Sequence, residues 1–372
     1  MYNVIFVDDR EDEFKILSHV EREAGDTLKF FKYIPEASIG ETQKKISKMF
    51  PELLLLDYRL DEKPVEDNKI AEYKAGPVAQ QFRDLAIDNY KNDLPIFAVS
   101  VEDNIRNLYE PDKTAHDLFD QILPKTFFID HPKEAIKQMI SFIEAYKKII
   151  DCFNIEKRLD KLLQINEEEV GFIDSHFFSK INKLKAPHLV SIKIFKTFIE
   201  RSWLLLDIDN LISLLGVHPD EKGLEQFKEL IKIMAYDTEY CGIFGKGFKR
   251  WWANRVKQFF EKRCSSQLGN LTAVERIEKI SDCIGLKFKP AVSRWAQNSN
   301  TYVSFACSSC RNPTEVEYSV SAYDPVSHPI IGKNRICWRC IQTGEYESKG
   351  LLVDDSDEFI ANKIKNGKIV FS

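Results

Sequence analysis

The residues of this chain whose types and order suggest chemistry are Asp8-Asp9, Asp57, Ser100 and Lys125. Each follows a short apolar run. Asn3 to Val7 stops at Asp8-Asp9, Leu53 to Leu56 at Asp57, Pro95 to Val99 at Ser100, and Gln121 to Pro124 leads into Lys125. If these runs are strands of one parallel sheet, all five side chains emerge at its carboxyl edge, the edge at which such sheets bind ligands. Three carboxylates within a few ångströms repel one another unless a cation neutralises them, and an all-oxygen donor set suits Mg²⁺. A hydroxyl and an ammonium then flank the metal. The competing reading is that these are surface acids closing buried strands.

A second constellation lies near the other end. Cys307-Ser-Ser-Cys310 and Cys337-Trp-Arg-Cys340 stand 26 residues apart. Two such knuckles bring four thiolates to one ion, the tetrahedral sulfur site that Zn²⁺ prefers, and the pattern resembles a zinc ribbon. Four thiolates leave no open coordination position, so the metal is expected to be structural. Where the ribbon usually has glycine after each pair, this chain has Arg311 and Ile341. The other cysteines, Cys152, Cys241, Cys264 and Cys283, fall singly in apolar or helical surroundings and are expected to be buried free thiols.

Several elements must position these groups. The chain has 372 residues, more than the roughly 250 to 300 that one hydrophobic core organises. With 44% apolar and 30% charged residues it lies among globular proteins, outside the disordered and disulfide-scaffold classes. Unbroken apolar runs alternate with helical patterns such as Phe14, Leu17, Val20 and Val78, Phe82, Leu85, which predicts an α/β doubly wound domain over residues 1–130. Over residues 131–165, Ile136, Ile140, Ile143, Tyr146, Ile150, Phe153 and Leu159 recur in a near-heptad rhythm. That predicts a connecting helix of roughly 50 Å whose stripe could pair two copies as a homodimer. Residues 166–290 read as an all-α domain, and residues 291–372 as a small zinc-stapled β module with strands near 302–306, 315–320, 334–336 and 368–371.

Acids, a hydroxyl and a lysine at successive strand ends resemble the receiver domain of two-component response regulators, over roughly residues 1 to 145. The resemblance implies a flavodoxin-like fold with Asp57 as phosphoacceptor. Asp8 and Asp9 would then hold Mg²⁺ with Asp57 and the Arg59 carbonyl, Ser100 would bind the phosphate through its hydroxyl, and Lys125 would be its counter-charge. It also implies a histidine kinase or phosphotransfer protein as partner. The chain departs from the family in three places. The stretch from Tyr58 to Lys74 is longer than the usual loop, Thr126 stands where a proline follows the lysine, and Ile122 replaces the aromatic switch residue.

The stretch 244–263 carries seven Lys or Arg and six aromatics. Lys249, Arg250, Arg255 and Lys257 could hold a phosphate backbone while the rings stack on bases. Equally, Phe248, Trp251, Trp252, Phe259 and Phe260 could be the core face of a helix with the cations as its solvated side. The second reading is favoured, since the net charge is −5 and residues 1–150 hold 29 acids against 21 bases, which gives nucleic acid no long-range attraction.

No Walker loop, HExxH or GxSxG motif is present, and the histidines are scattered singly, with His188 and His218 expected as caps or core polar groups. No run of 18 apolar residues and no signal-peptide pattern occurs, which predicts a cytoplasmic protein without a membrane span. The expectation is a response regulator acting through a helical and zinc-ribbon effector, with a protein partner favoured over nucleic acid. The receiver would be no enzyme beyond its own phosphoryl transfer and dephosphorylation, while the effector region is left open on this point. The alternative is a phosphate sink or scaffold in a phosphorelay.

Overall fold

The computed structural model describes residues 1–62, 64–65, 69–101, 105, 117–153, 159–171, 173, 175–295, 302–324 and 332–367. The chain forms two compact units. One comprises Met1–Lys196 with Cys241–Phe248, and the other Thr197–Tyr240 with Lys249–Ser372.

In the first unit, β1 (Tyr2–Val7), β2 (Leu28–Tyr33) and β3 (Leu53–Asp57) are followed by a small antiparallel ribbon, β4 (Pro64–Val65) with β5 (Lys69–Ile70). Then come β6 (Ile96–Ser100) and β7 (Gln121–Pro124). The five long strands pair in parallel in the order β2-β1-β3-β6-β7. This is the flavodoxin-like doubly wound order, with its switch point between β1 and β3. Leu53 to Leu56 and Ile96 to Val99 are wholly buried, because helices cover both faces, so these strands read as unbroken apolar runs. At the sheet edge, β2 carries Lys29 and Lys32, which blunt an otherwise unpaired strand and hid it from the apolar-run criterion.

Helices α1 (Leu17–Ala24), α2 (Ile39–Ser47), α3 (Ala75–Asp88), α4 (Lys125–Asp130) and α5 (Pro132–Cys152) flank or follow the sheet. The expected continuous helix over 131–165 is corrected: α5 ends at Cys152, and α6 (Leu159–Leu163) is a separate turn. The stripe of α5 is not bare either. Of its residues Ile136, Ile143 and Tyr146 are buried and Ile140 and Ile150 half-buried. The helix lies against α1 and α9 (Pro187–Ile194), and its Phe142, outside the stripe, meets the rings of Phe195, Phe244 and Phe248. The homodimer expected through this helix loses its basis, a bare stripe, because the chain itself covers much of it. Short helices α7 (Glu167–Val170) and α8 (Ser175–Asn182) precede α9.

A buried polar network pins α3, α5 and α9 to the amino edge of the sheet. Arg83 donates to Asp93 Oδ1 and Asp120 Oδ2, each at 2.9 Å. Tyr146 donates its hydroxyl to Asp120 at 2.7 Å, and Ser191 Oγ donates at 3.0 Å. Asp93 Oδ2 accepts the His188 main-chain N–H at 2.6 Å and lies 2.8 Å from Nδ1. His188 is thus the core polar group its setting suggested.

The second unit packs α10 (Ile208–Leu215), α11 (Glu225–Thr238), α12 (Ala253–Cys264) and α13 (Ala273–Ile284) around Leu211, Phe227, Leu230, Trp251, Phe260 and Ile280. A full capping box, Thr272 with Glu275, starts α13. His218 caps a 3-10 turn by accepting the Asp220 N–H. Residues 166–290 are not all helix: β8 (Leu205–Leu206) pairs with β9 (Trp251–Trp252). Two of the expected free thiols are also corrected, since Cys264 and Cys283 form a disulfide between α12 and α13. Cys241 is exposed and Cys152 half-buried.

Beyond these helices β10 (Phe305–Ala306) pairs with β11 (Pro313–Thr314), and β12 (Ser319–Ser321) with β13 (Arg335–Cys337). The module is not purely β, because α14 (Trp338–Thr343) and α15 (Glu358–Lys365) complete its core with Trp338, Ile341, Ala361 and Ile364. The strand expected at 368–371 lies outside the described residues. Among the described residues no helix is long and apolar enough to cross a membrane.

Candidate functional site

Strand register assembles the acidic cluster. Asp8 and Asp9 directly follow β1, Asp57 is the last residue of β3 and pairs with Val99, and Ser100 ends β6 opposite Pro124. Lys125 is the first residue of α4, immediately after β7. All five side chains meet at one edge, and all are buried. One carboxylate oxygen from each of Asp8, Asp9 and Asp57 lies within 4.8 Å of the others.

Lys125 holds the group together. Its Nζ stands 3.0 Å from Asp8 Oδ2, 3.0 Å from Asp57 Oδ1 and 3.1 Å from Glu13 Oε2. Glu13 reaches the site from a 3-10 turn, Glu11–Ile16, and pairs with Arg10 as well. Nothing in the spacing of the sequence pointed to it, since it follows no strand. Main-chain donors fix the acids: Arg10 N–H to Asp8 Oδ1 at 2.9 Å, Arg59 N–H to Asp57 Oδ2 at 3.2 Å, and Glu62 N–H to Asp9 Oδ2 at 2.8 Å. The last bond brings the long loop after β3 onto the site. Tyr58, Leu60, Ala71 and Tyr73 of that loop are core residues.

Burial pushes the Asp57 carboxyl up to about 7, against the pull of Lys125 and with a further push from Asp8. Burial raises Asp8 too, again opposed by Lys125. The Ser100 hydroxyl is buried and has no hydrogen-bond partner among the described residues. Three hard oxygen donors so close, with one lysine to offset them, fit a small divalent cation. Asp8, Asp9, Asp57 and the Arg59 carbonyl are the groups that would hold it.

The four cysteines converge as their spacing suggested. Cys307 Sγ lies 3.9 Å from Cys340 Sγ, and Cys310 Sγ 3.8 Å from Cys337 Sγ. A zinc tetrahedron with bonds near 2.3 Å has sulfur–sulfur edges of about 3.8 Å, so the donor set fits that ion. Arg311 replaces the usual knuckle glycine and adopts its left-handed conformation, φ 62°. Its guanidinium donates to Asp207 and Asp209, contacts that accompany this uncommon backbone. The second pair uses another device, with Cys337 preceding α14 and Cys340 in its first turn. Spacing did not reveal Arg294. It donates to Glu345 at 2.8 Å and lies 3.9 Å from Cys340 Sγ, and its pKa is raised by Cys310 and Glu345.

The basic aromatic stretch is not one helix. Residues 244–247 form turns, 248–250 are irregular, Trp251 and Trp252 are strand, and α12 begins at Ala253. Phe244, Trp251, Trp252 and Phe260 are buried core residues. Arg250 turns inward to the Ile199 carbonyl, with bonds of 3.1 and 2.8 Å, and burial lowers its pKa. Arg255 sits over the Trp252 ring. Lys249 and Lys257 are exposed, and Lys249 faces Glu239.

No protein-family profile matches the sequence. No curated protein is similar to it in sequence. Among solved structures, the chain is similar to the signal receiver domain of a protein named as a Luxo repressor from Vibrio parahaemolyticus. Identity is 12% and the TM-score 0.27, over 40% of this chain and 93% of that one. It is similar to the N-terminal domain of a response regulator/sensory box/GGDEF three-domain protein from Carboxydothermus hydrogenoformans, at 12% identity and TM-score 0.27, over 40% of this chain and 98% of that one. It is also similar to the RcsB response regulator of Salmonella typhimurium, at 12% identity and TM-score 0.27, over 52% of this chain and 87% of that one.

Proposed function

We propose that the first unit is a phosphoryl-accepting receiver and that the chain is a two-component response regulator. The observation that carries this reading is Lys125 Nζ, 3.0 Å from both Asp8 and Asp57, at the sheet edge to which β6 delivers the unpartnered Ser100 hydroxyl. A cation and a free donor at strand ends suit an oxyanion that becomes attached to Asp57. An Asp57 oxygen attacks phosphorus of a phosphohistidine, the Oδ–P bond forms as the N–P bond breaks, and the imidazole leaves to take up a proton. Lys125 and the Ser100 hydroxyl then donate to phosphoryl oxygens. Mg²⁺, held by Asp8, Asp9, Asp57 and the Arg59 carbonyl, would neutralise charge on the transferred group. Attack by water on the acyl phosphate restores the carboxylate and releases inorganic phosphate.

The partners implied are a histidine kinase or phosphotransfer protein upstream and a protein effector downstream. The helical and four-cysteine regions would transmit the signal. The test is intact-mass analysis after incubation with acetyl phosphate and Mg²⁺. One added phosphoryl group, absent in Asp57→Asn, supports the reading, and undiminished labelling of that variant overturns it.

A further inference from the structure

The ammonium of Lys125 is shared by three carboxylates, and they are not equivalent. Its Nζ lies 3.0 Å from Asp8 Oδ2, 3.0 Å from Asp57 Oδ1 and 3.1 Å from Glu13 Oε2. Asp8 and Asp57 belong, with Asp9, to the trio whose oxygens converge within 4.8 Å, and Glu13 does not. Glu13 divides its two oxygens, Oε1 pairing with Arg10 and Oε2 with Lys125, so its carboxylate bridges two cations. Arg10 in turn fixes Asp8, its main-chain N–H donating to Oδ1 at 2.9 Å. The side chains of Lys125 and Glu13 are 11% and 19% exposed, so this pair is shielded from the solvent that weakens ordinary surface ion pairs.

A divalent ion held by Asp8 and Asp57 competes with the ammonium for the same two carboxylates, and the two positive charges repel at such short range. The lysine must then give up contacts to both aspartates. A shielded ammonium left without an anion is costly, and that cost would be taken from the affinity for the ion. Glu13 removes it. The glutamate already touches Lys125, stands outside the trio, and is oriented by Arg10.

We propose that Glu13 is a positioning residue that retains Lys125 as Mg²⁺ displaces it from Asp8 and Asp57, and thereby sets how tightly this site holds the ion. This role rests on the receiver reading of the site. Glu13 touches no reacting atom and acts through Lys125, on metal affinity, which saturating Mg²⁺ masks in an uptake assay.

The test is a double-mutant cycle on the whole chain, with MgCl₂ titrated by calorimetry at constant ionic strength. Glu13→Gln is expected to weaken Mg²⁺ binding by about three- to tenfold. Lys125→Met removes the competing ammonium and is expected to tighten it. In the Lys125→Met background, Glu13→Gln is expected to change affinity by less than about twofold, since the lysine it serves is gone. Equal factors in the two backgrounds would reduce Glu13 to a distant charge and overturn the proposal, as would unchanged affinity in Glu13→Gln or no Mg²⁺ binding by the unmodified chain. If Lys125→Met does not fold, Glu13→Asp decides: it keeps the charge but draws the carboxylate back from the lysine, and it should weaken Mg²⁺ binding, whereas unchanged affinity would overturn the role. Intact mass after acetyl phosphate treatment separates the two readings. Labelling at Asp57 with equal factors sinks the role of Glu13 and leaves the receiver standing, and unequal factors without labelling do the reverse.

Discussion

Lys125 Nζ lies 3.0 Å from Asp57 Oδ1, yet the Asp57 carboxyl titrates near neutrality, at about 7. Burial outweighs the lysine because that ammonium is shared with Asp8 and Glu13. An acid whose pKa is raised on folding binds its proton more tightly in the native state. Stability therefore falls as pH rises from about 4, where the unfolded carboxyl ionises, to about 7. For protein kept free of divalent ions with a chelator, the denaturation midpoint is expected to drop across this window. Asp57→Asn should flatten the drop. A midpoint that rises between pH 4 and 7 and is unaffected by Asp57→Asn would contradict the raised pKa.

Lys125→Met should leave Asp8 and Asp57 without the ammonium that pairs with both. Phosphoryl uptake from acetyl phosphate should fall by at least tenfold, since a charge-assisted contact is worth about 1.5 to 3 kcal/mol. In contrast, Glu13→Gln removes a competitor for the lysine, along with the Glu13 pairing to Arg10, and should retain uptake. Equal loss in both variants, measured by intact mass, would place the lysine's role in general stability.

The purified protein should hold one zinc per chain, and Cys337→Ser should lose it together with the fold of its module, because metal binding in so small a core is folding energy. Arg294→Met should keep the metal but release it faster to a chelator, since the guanidinium beside Cys340 offsets the thiolate charge. Metal content by elemental analysis and release followed with a colorimetric chelator check both. A protein without zinc after reduction under anaerobic conditions would remove the site.

What was legible in the sequence follows from physical signal strength. Leu53 to Leu56 and Ile96 to Val99 were visible because burial on both faces leaves no polar residue in the run. Their ends placed Asp57 and Ser100 correctly. Lys29 and Lys32 disguised β2 for the opposite reason, as an edge strand must repel neighbours. The stripe of α5 was visible, but a stripe carries no record of its partner, and here α1 and α9 of the same chain lie against that helix. Trp251-Trp252 looked helical because a two-residue strand is too short to show a period. Cys264 and Cys283 meet only through the packing of α12 on α13, which no spacing encodes.

The Arg83 network should be more sensitive than its distance from the acidic site suggests. Arg83→Met leaves Asp93 and Asp120 buried without their cation, a loss of about 3 to 5 kcal/mol. Tyr146→Phe removes one hydrogen-bond donor to Asp120, which still accepts from Arg83, Ser191 and the Ile96 N–H, so about 1 kcal/mol is expected. Urea denaturation should order the two variants this way. Near-equal costs would mean that the ion pairs of Arg83 add nothing beyond a single hydrogen bond.

The basic aromatic stretch offers the sharpest contrast between core and surface. Trp251 and Trp252 are each 2% exposed, in a strand that pairs with Leu205 and Leu206, so replacing either by alanine should cost about 3 to 5 kcal/mol through the cavity left behind. Lys249→Glu, on an exposed side chain, should change stability by less than about 1 kcal/mol. Arg250 is already committed to the Ile199 carbonyl, and Arg255 to the Trp252 face, which leaves Lys249 and Lys257 as the exposed cations of the four. Two lysines give a weak electrostatic footprint, and binding to single-stranded DNA or RNA is expected to be absent at physiological salt. Tight binding that weakens steeply with salt and disappears in Lys249→Glu/Lys257→Glu would reverse this assignment and make the stretch a nucleic-acid surface.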